Sequence, residues 1–263
     1  MQKSIKFFIF SLALLLSGCG LFGKKHKEPD NSPEKLYKEA RDDLNNGRYD
    51  SALDNFQKLE SAYPFGVYGE QAQMDIAYTH YLKDEKDEAI AATDLFIKLH
   101  PNHPHVDYMY YLKGLVNFND KVGVLDFVSH QDPSERDPKA AQDSFTAFKQ
   151  LVERFPNSIY AEDARLRLKY LINSLAQYEV DVARYYYRRG AYVAAAERAQ
   201  SAVKNYQGAP AAEEALFIMA RSYDALNLTD LRDDADRVLR LNFPNSRFLA
   251  GKTQVAKHWW KFW

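Results

Sequence analysis

GRYDSALDNFQKLESAYP, residues 47–64, is the stretch whose reading decides the fold. Gly47 stands where a chain leaving one helix can take a positive φ at little cost. Ala52, Phe56 and Leu59 then fall at i, i+4 and i+7, the spacing of one helical face. Ala52 is small enough to let two helix backbones approach. Tyr63-Pro64 closes the run, because proline stops the helix and turns the chain toward whatever follows. The stretch reads as the second helix of an antiparallel pair.

The frame returns. A second copy has Ala89, Thr93, Phe96 and Pro101, and a third has Ser144, Phe148, Leu151 and Pro156. A fourth has Gly190, Tyr192, Ala195, Ala199, Ala202 and Tyr206, with Gln207 in the proline slot. A fifth has Arg232, Asp236, Leu239 and Phe243-Pro244, degenerate at the crossing position. The closing positions 64, 101, 156, 207 and 244 lie 37, 55, 51 and 37 apart, so a 37-residue unit carries 18 extra residues in the third copy and 14 in the fourth. Ala40, Ala77, Gly114, Ala183 and Ala220 give each first helix a small residue, 12 before the second-helix position once the third unit's 18 are removed. Unit length, small crossing residues and closing proline resemble the tetratricopeptide repeat, two antiparallel helices in about 34 residues that stack on the next pair. The expected fold is all-α: a right-handed superhelix of five helix-pair repeats, with a groove lined by the first helices.

The two overruns differ in character. Between Asn119 and Lys139 the chain carries Gly123, Pro133 and Pro138, so residues 120–138 read as a long loop, of a length that tends to be functional or disordered. The 14 extra residues of the fourth unit fall within Tyr160 to Arg189, a run without Gly or Pro. Fourteen residues make about four helical turns and keep the phase, which predicts one long helix from about Ser158 to Arg189. That helix would stiffen the junction between three N-terminal repeats, residues 33–156, and two C-terminal ones, residues 157–263. After Pro244 a last helical segment runs to His258-Trp259-Trp260-Lys261-Phe262-Trp263, either capping the final repeat or docking on a partner.

Composition sets bounds on function. With 46% hydrophobic and 27% charged residues the chain has the make-up of a folded protein. A formal net charge of −1 argues against a nucleic-acid binder driven by bulk electrostatics. The single cysteine, Cys19, rules out an internal disulfide. Lys3 and Lys6 precede an apolar run, Phe7 to Leu16, too short to span a bilayer comfortably. Leu16-Ser17-Gly18-Cys19 follows and resembles the lipobox of bacterial lipoproteins. The resemblance implies cleavage of a signal peptide at 1–18, acylation of Cys19 by chains such as palmitate, and sorting to the periplasmic face of the outer membrane, since Gly20 and not Asp follows. A plain signal peptide with an incidental cysteine, or a short uncleaved anchor, are the alternatives. Several acyl chains, at about 0.8 kcal/mol per buried CH₂, make a stable anchor. Gly, Pro and charge dominate residues 20–32, which read with Cys19 as a lipidated tether, 19–32. Loss of Lys3 and Lys6 leaves the mature chain at a formal −3.

Chemistry is sparse. His100, His103 and His105 form the one histidine cluster, held extended by two prolines in an inter-repeat turn, with Asp107 the nearby carboxylate. It reads as a polar turn or an adventitious metal site. No nucleophile-elbow, zinc-protease or phosphate-loop pattern occurs, so the chain reads as a non-enzyme without metal or cofactor beyond the lipid. Surface recognition remains. Repeat positions 2, 5, 9 and 12 of the first helices should face the groove: Glu34, Tyr37, Arg41 and Leu44, then Gln71, Met74, Tyr78 and Tyr81, then Tyr108, Tyr111, Leu115 and Phe118. That aromatic lining suits an extended or amphipathic peptide, although about half of the tyrosines are expected to pack between helices.

Particular strings go beyond a generic repeat: Tyr63-Pro64-Phe65-Gly66 with Tyr68, Gln71-Ala72-Gln73, Ala77-Tyr78, Arg136-Asp137-Pro138, Phe155-Pro156-Asn157-Ser158 with Tyr160-Ala161, and Tyr185-Tyr186 through Arg189-Gly190-Ala191-Tyr192. With the lipobox and five repeats, they resemble the outer-membrane assembly lipoproteins, the BamD or ComL family, over nearly the whole mature chain. The resemblance implies a scaffold subunit of the machinery that folds and inserts β-barrel proteins. Its N-terminal repeats would engage unfolded barrel clients by their C-terminal aromatic signal. Its C-terminal repeats would dock on the barrel subunit, and smaller assembly lipoproteins would bind as well. Tyr37, Arg41, Tyr68, Met74, Tyr78, Tyr81 and Tyr108 are the expected client groove. Arg188, Arg189 and Arg198 are the expected partner face, with Glu197 positioned to pair partly with Arg198. The family's second name points to the alternative, a peptidoglycan-associated scaffold for DNA uptake. The aromatic C-terminus departs from the family pattern.

Overall fold

The crossing residues form the spine of the molecule. A computed structural model describes residues 32–118 and 138–249, and in it Ala40, Ala77, Ala183, Ala52, Ala89, Ser144 and Ala195 are all fully buried. Ten helices run through the described residues. They are α1 (Pro33–Asn45), α2 (Tyr49–Ala62), α3 (Val67–Leu82), α4 (Lys86–Leu99), α5 (Val106–Asn117), α6 (Pro138–Arg154), α7 (Ala161–Arg188), α8 (Tyr192–Asn205), α9 (Ala212–Ala225) and α10 (Thr229–Asn242). Each helix packs against the next, and first helices also meet first helices: α1 with α3, α3 with α5, α7 with α9. The fold is the expected all-helical stack of five pairs.

The turn within a pair is the same device four times. The first helix ends on a residue with φ near +60° to +75°: Gly47, Asp84, Gly190 and Asn227. In each, that residue's N–H and the next one close back on the helix, as where Arg48 N–H meets the Asp43 carbonyl at 2.9 Å and Leu228 N–H meets that of Tyr223 at 2.9 Å. This left-handed cap satisfies carbonyls that a helix end leaves open. Glycine takes the conformation freely, and Asp and Asn are the side-chain-bearing residues that tolerate it best.

Packing explains the third pair's departures. Gly114 carries no Cβ because one would lie 2.5 Å from the Phe148 ring. The space goes to Phe148, itself fully buried, and Ser144 Oγ donates to the Gly114 carbonyl at 2.9 Å. Pro138 opens α6 at a position where a helix needs no N–H donor. The rest of the expected loop 120–138 lies outside the described residues, as do the signal peptide, Cys19, the tether up to residue 31 and the tail from residue 250.

The long helix is α7, 28 residues against 14 in α8, α9 and α10. Its buried stripe, Ala164, Leu171, Leu175, Ala176, Val180 and Ala183, shares one core with Val106, Phe148 and Leu151 of the third pair and with Ala195, Ala199 and Ala215 of the last two. In the fifth pair the crossing slot goes to Arg232, whose guanidinium stays at the surface with Asp224 and Asp233. There α10 packs through Ala235 and Leu239. Among the described residues no helix is long and apolar enough to cross a membrane.

Candidate recognition surfaces

The face built by α1, α3 and α5 is organised around one buried acid. Asp75 sits on the middle of α3, 5% exposed. Tyr37 of α1 donates its hydroxyl to Asp75 Oδ2 at 2.9 Å, and Arg41 Nη1 donates to Oδ1 at 3.0 Å. Tyr37 and Arg41 lie one helical turn apart, which is why both reach the same carboxylate. Burial dominates the electrostatics: it holds the Asp75 carboxyl above its ordinary value, against the pull of Arg41, Tyr37 and Gln71. Burial likewise pushes up the Tyr37 and Tyr108 hydroxyls, with Asp75 reinforcing both.

Tyrosine rings spread outward from this centre. Tyr37 and Tyr68 meet at 5.7 Å between centroids, Tyr78 and Tyr81 at 6.3 Å, and Tyr108 and Tyr160 at 5.6 Å. Tyr111 stacks on Tyr160 at 4.8 Å and donates to Asp163. Burial, then the Asp163 hydrogen bond, pushes the Tyr111 hydroxyl up to about 12. Such rings offer apolar area and a polar tip together. Tyr37, Arg41, Tyr68, Tyr78, Tyr81 and Tyr108 are all half-buried on or beside this face. Met74 is not: it lies inside, against Ala77, Phe96, Met109 and Leu112, because its side chain points between the second and third pairs. Leu44, given to the groove by the same periodicity, is also core. Sequence reasoning missed Asp75, since what buries and pairs it is Tyr37 and Arg41 reaching across from α1, which no spacing within α3 encodes.

At the far end of α7, Arg188 and Arg189 are exposed, and the Arg189 guanidinium lies 5.4 Å from the centre of the Tyr185 ring. The acid that Arg198 meets is Glu179 on α7, at 3.2 Å, rather than its chain neighbour Glu197. Residues one apart on a helix point in different directions, whereas α7 presents Glu179 across the helix contact. Arg184, which sequence reasoning also missed, ties α7 to α9 through Glu214 at 2.7 Å.

The histidine turn is built into the stack. His100 Nε2 lies 2.9 Å from Gln73 Oε1, His103 Nε2 lies 3.5 Å from Glu70, and both rings pack on Phe96. The segment is a pair of turns rather than extended chain: His103 N–H bonds the His100 carbonyl and Val106 N–H that of His103. Among the described residues no three His, Cys, Asp or Glu side chains come together as metal ligands would.

Stacked helix pairs with a tyrosine-rich face on α1, α3 and α5 and exposed arginines at the end of α7 define a helical-repeat protein. Residues 29–239 match the family model YfiO, outer membrane lipoprotein, and the chain belongs to that family. It is similar to the outer membrane protein assembly factor BamD of Neisseria meningitidis serogroup A, 45% identical over 96% of this chain and 97% of the relative. Identity to the BamD of Xylella fastidiosa strain Temecula1 is 38% over 91% and 82%, and to that of Vibrio cholerae 36% over 87% and 94%. Among solved structures, the type IV pilus biogenesis factor PilW superposes with a TM-score of 0.38 at 13% identity, covering 84% of this chain and 98% of that one.

Proposed function

We propose that this chain is an outer membrane protein assembly factor, a non-catalytic scaffold anchored by lipid on Cys19 to the periplasmic face of the outer membrane. In this reading the face of α1, α3 and α5 holds unfolded β-barrel clients, and the end of α7 with Arg188, Arg189 and Arg198 docks the barrel subunit of the machinery. The observation that carries it is the aromatic face fixed around Asp75. Extended segments need apolar pockets for side chains and polar tips for backbone groups, and half-buried tyrosines supply both. Arg41 is held in place by Asp75 before any client arrives, so less freedom is lost on binding. The BamD relatives, matched over 97% and 82% of their lengths, support the assignment. No cofactor beyond the lipid is required.

Depletion of the protein tests the reading. Outer-membrane β-barrel proteins should fall in abundance, and affinity capture from solubilised membranes should recover a barrel-forming subunit together with further lipoproteins. Unchanged barrel levels, or capture without the barrel subunit, would overturn it.

A further inference from the structure

Chain direction sorts the turns onto two edges. Every first helix starts, and every second helix ends, at the same edge of the stack, which carries the start of α1 and the between-pair turns 63–66, 100–105, 155–160, 206–211 and 243–248. Polar contacts knit that edge together: Glu60 accepts from Gln73 at 3.0 Å, Gln73 meets His100 at 2.9 Å, and Asp107 accepts from Ser158 at 2.6 Å. The within-pair turns occupy the other edge.

The two edges differ in what they show to solvent. Phe65 is 91% exposed, Ile159 84% and Val67 78%, all on the between-pair edge. On the within-pair edge, among the described residues, the most exposed large apolar side chain is Val193 at 58%. The Phe65 turn is firmly seated. A Cβ on Gly69 would meet the Tyr63 carbonyl at 2.2 Å, so the turn lies directly on the first turn of α3.

Where the chain leaves this edge says what covers it. Ser32 enters α1 here, and Tyr68, beside Val67, hydrogen-bonds Glu34 of α1's first turn and packs at a tilt against Tyr37. Thirteen residues, 20–32, separate Cys19 from α1. A chain of that length spans at most about 45 Å and averages about 20 Å as a coil. The between-pair edge is therefore the one tied closest to the acyl chains, and Lys24, Lys25 and Lys27 suit an anionic surface.

We propose that this edge, led by Phe65 and Val67, rests in the lipid interface of the membrane, so that the scaffold is held in a fixed orientation rather than swinging on its tether. The proposal rests on reading Cys19 as lipidated. In that reading Cys19 is consumed by acylation, so an introduced cysteine is the one free thiol in the chain. Spin labels are placed at Phe65→Cys and, on the opposite edge, at Leu228→Cys. Both sites are exposed, so neither substitution touches the core. The full acylated protein is bound to phosphatidylethanolamine–phosphatidylglycerol vesicles. In parallel, a Cys19→Ser chain is held by an N-terminal histidine tag on zinc-chelating lipid, whose diamagnetic ion leaves the spin labels unperturbed. The label at 65 should lose relaxation by a water-soluble reagent and gain it from oxygen, while the label at 228 keeps its aqueous response. Equal aqueous responses at both sites on floated vesicles would overturn the proposal. So would shielding at 65 from both reagents that appears only when the barrel subunit is added, since the occupant would then be protein. If the acylated chain fails to float but the tagged chain shows the shift at 65, the lipid reading falls and the edge assignment stands.

Discussion

Arg198 Nη1 donates to Glu179 Oε2 at 3.2 Å, and the glutamate side chain is 7% exposed while the arginine is 45% exposed. The arginine proposed to meet a partner therefore also neutralises an acid buried between α7 and α8. Arg198→Leu should leave that carboxylate unpaired and cost about 1–3 kcal/mol. Glu179→Gln combined with Arg198→Leu should recover much of the loss, giving a favourable coupling in a double-mutant cycle. Urea midpoints of the four proteins measure it, and an unchanged midpoint for Arg198→Leu would show the pair to be incidental. Only the double variant then reports cleanly on partner binding.

Gly114→Ala places a methyl 2.5 Å from the ring of Phe148, which is itself fully buried. Overpacking of this kind costs about 1–3 kcal/mol. Phe148→Leu in the alanine background should restore part of it by vacating the ring edge, although alone it would destabilise. Thermal unfolding of the three variants tests the expectation. A Gly114→Ala protein as stable as the parent would mean that the crossing is looser than the contact implies.

How much of this was legible in the sequence depended on whether the chemistry was periodic. The small residues and the 37-residue step gave the helix pairs, the long α7 and most of the core, because steric exclusion at a crossing leaves few choices. The left-handed turn is legible at Gly47, and Gly190 holds the same place in the frame, but Asp84 and Asn227 give no such sign, because a less specific residue does the same work there. Met74 was misplaced because a helix in a stack has neighbours on two sides, and a single face angle cannot separate groove from interior. Asp75 and the Arg198–Glu179 pair depend on contacts between helices, which no spacing within one helix encodes.

Those two non-glycine turns give opposite expectations from the glycines. Asn227→Gly should stabilise by about 0.5–1 kcal/mol, because φ of +60° costs a side-chain-bearing residue what glycine avoids. Gly47→Ala should destabilise by about 1 kcal/mol although nothing lies within 4 Å of the added Cβ. Thermal midpoints moving in opposite directions would bear this out. A destabilised Asn227→Gly would mean that the asparagine side chain contributes more than its backbone strain removes.

Met74 and Tyr81 separate core from face. Met74→Ala should cost about 2–4 kcal/mol by leaving a cavity against Phe96 and Met109. Tyr81→Ala should cost less stability and instead weaken binding of a barrel-protein C-terminal peptide, followed by fluorescence anisotropy on the folded protein. Equal peptide affinity for Tyr81→Ala and the parent would remove Tyr81 from the client face.

Asp75 should leave a pH signature of unusual sign. Its carboxyl titrates above the ordinary 3.8 because burial outweighs Arg41 and Tyr37. Between those two values the folded chain binds more protons than the unfolded one, so stability falls as pH rises through the window. Asp163 runs the other way: burial opposes, but Arg167 and Tyr111 hold it low, so its contribution is present at neutral pH and lost as pH falls through its depressed value. Asp75→Asn abolishes the first effect. The stability of the parent relative to this variant should be greatest at the acid end and shrink as pH climbs past 3.8, read from urea midpoints across the acid range. A parent that instead gained on Asp75→Asn with rising pH would mean that the Arg41 and Tyr37 bonds outweigh burial, and that the centre of the face is an ordinary ion pair.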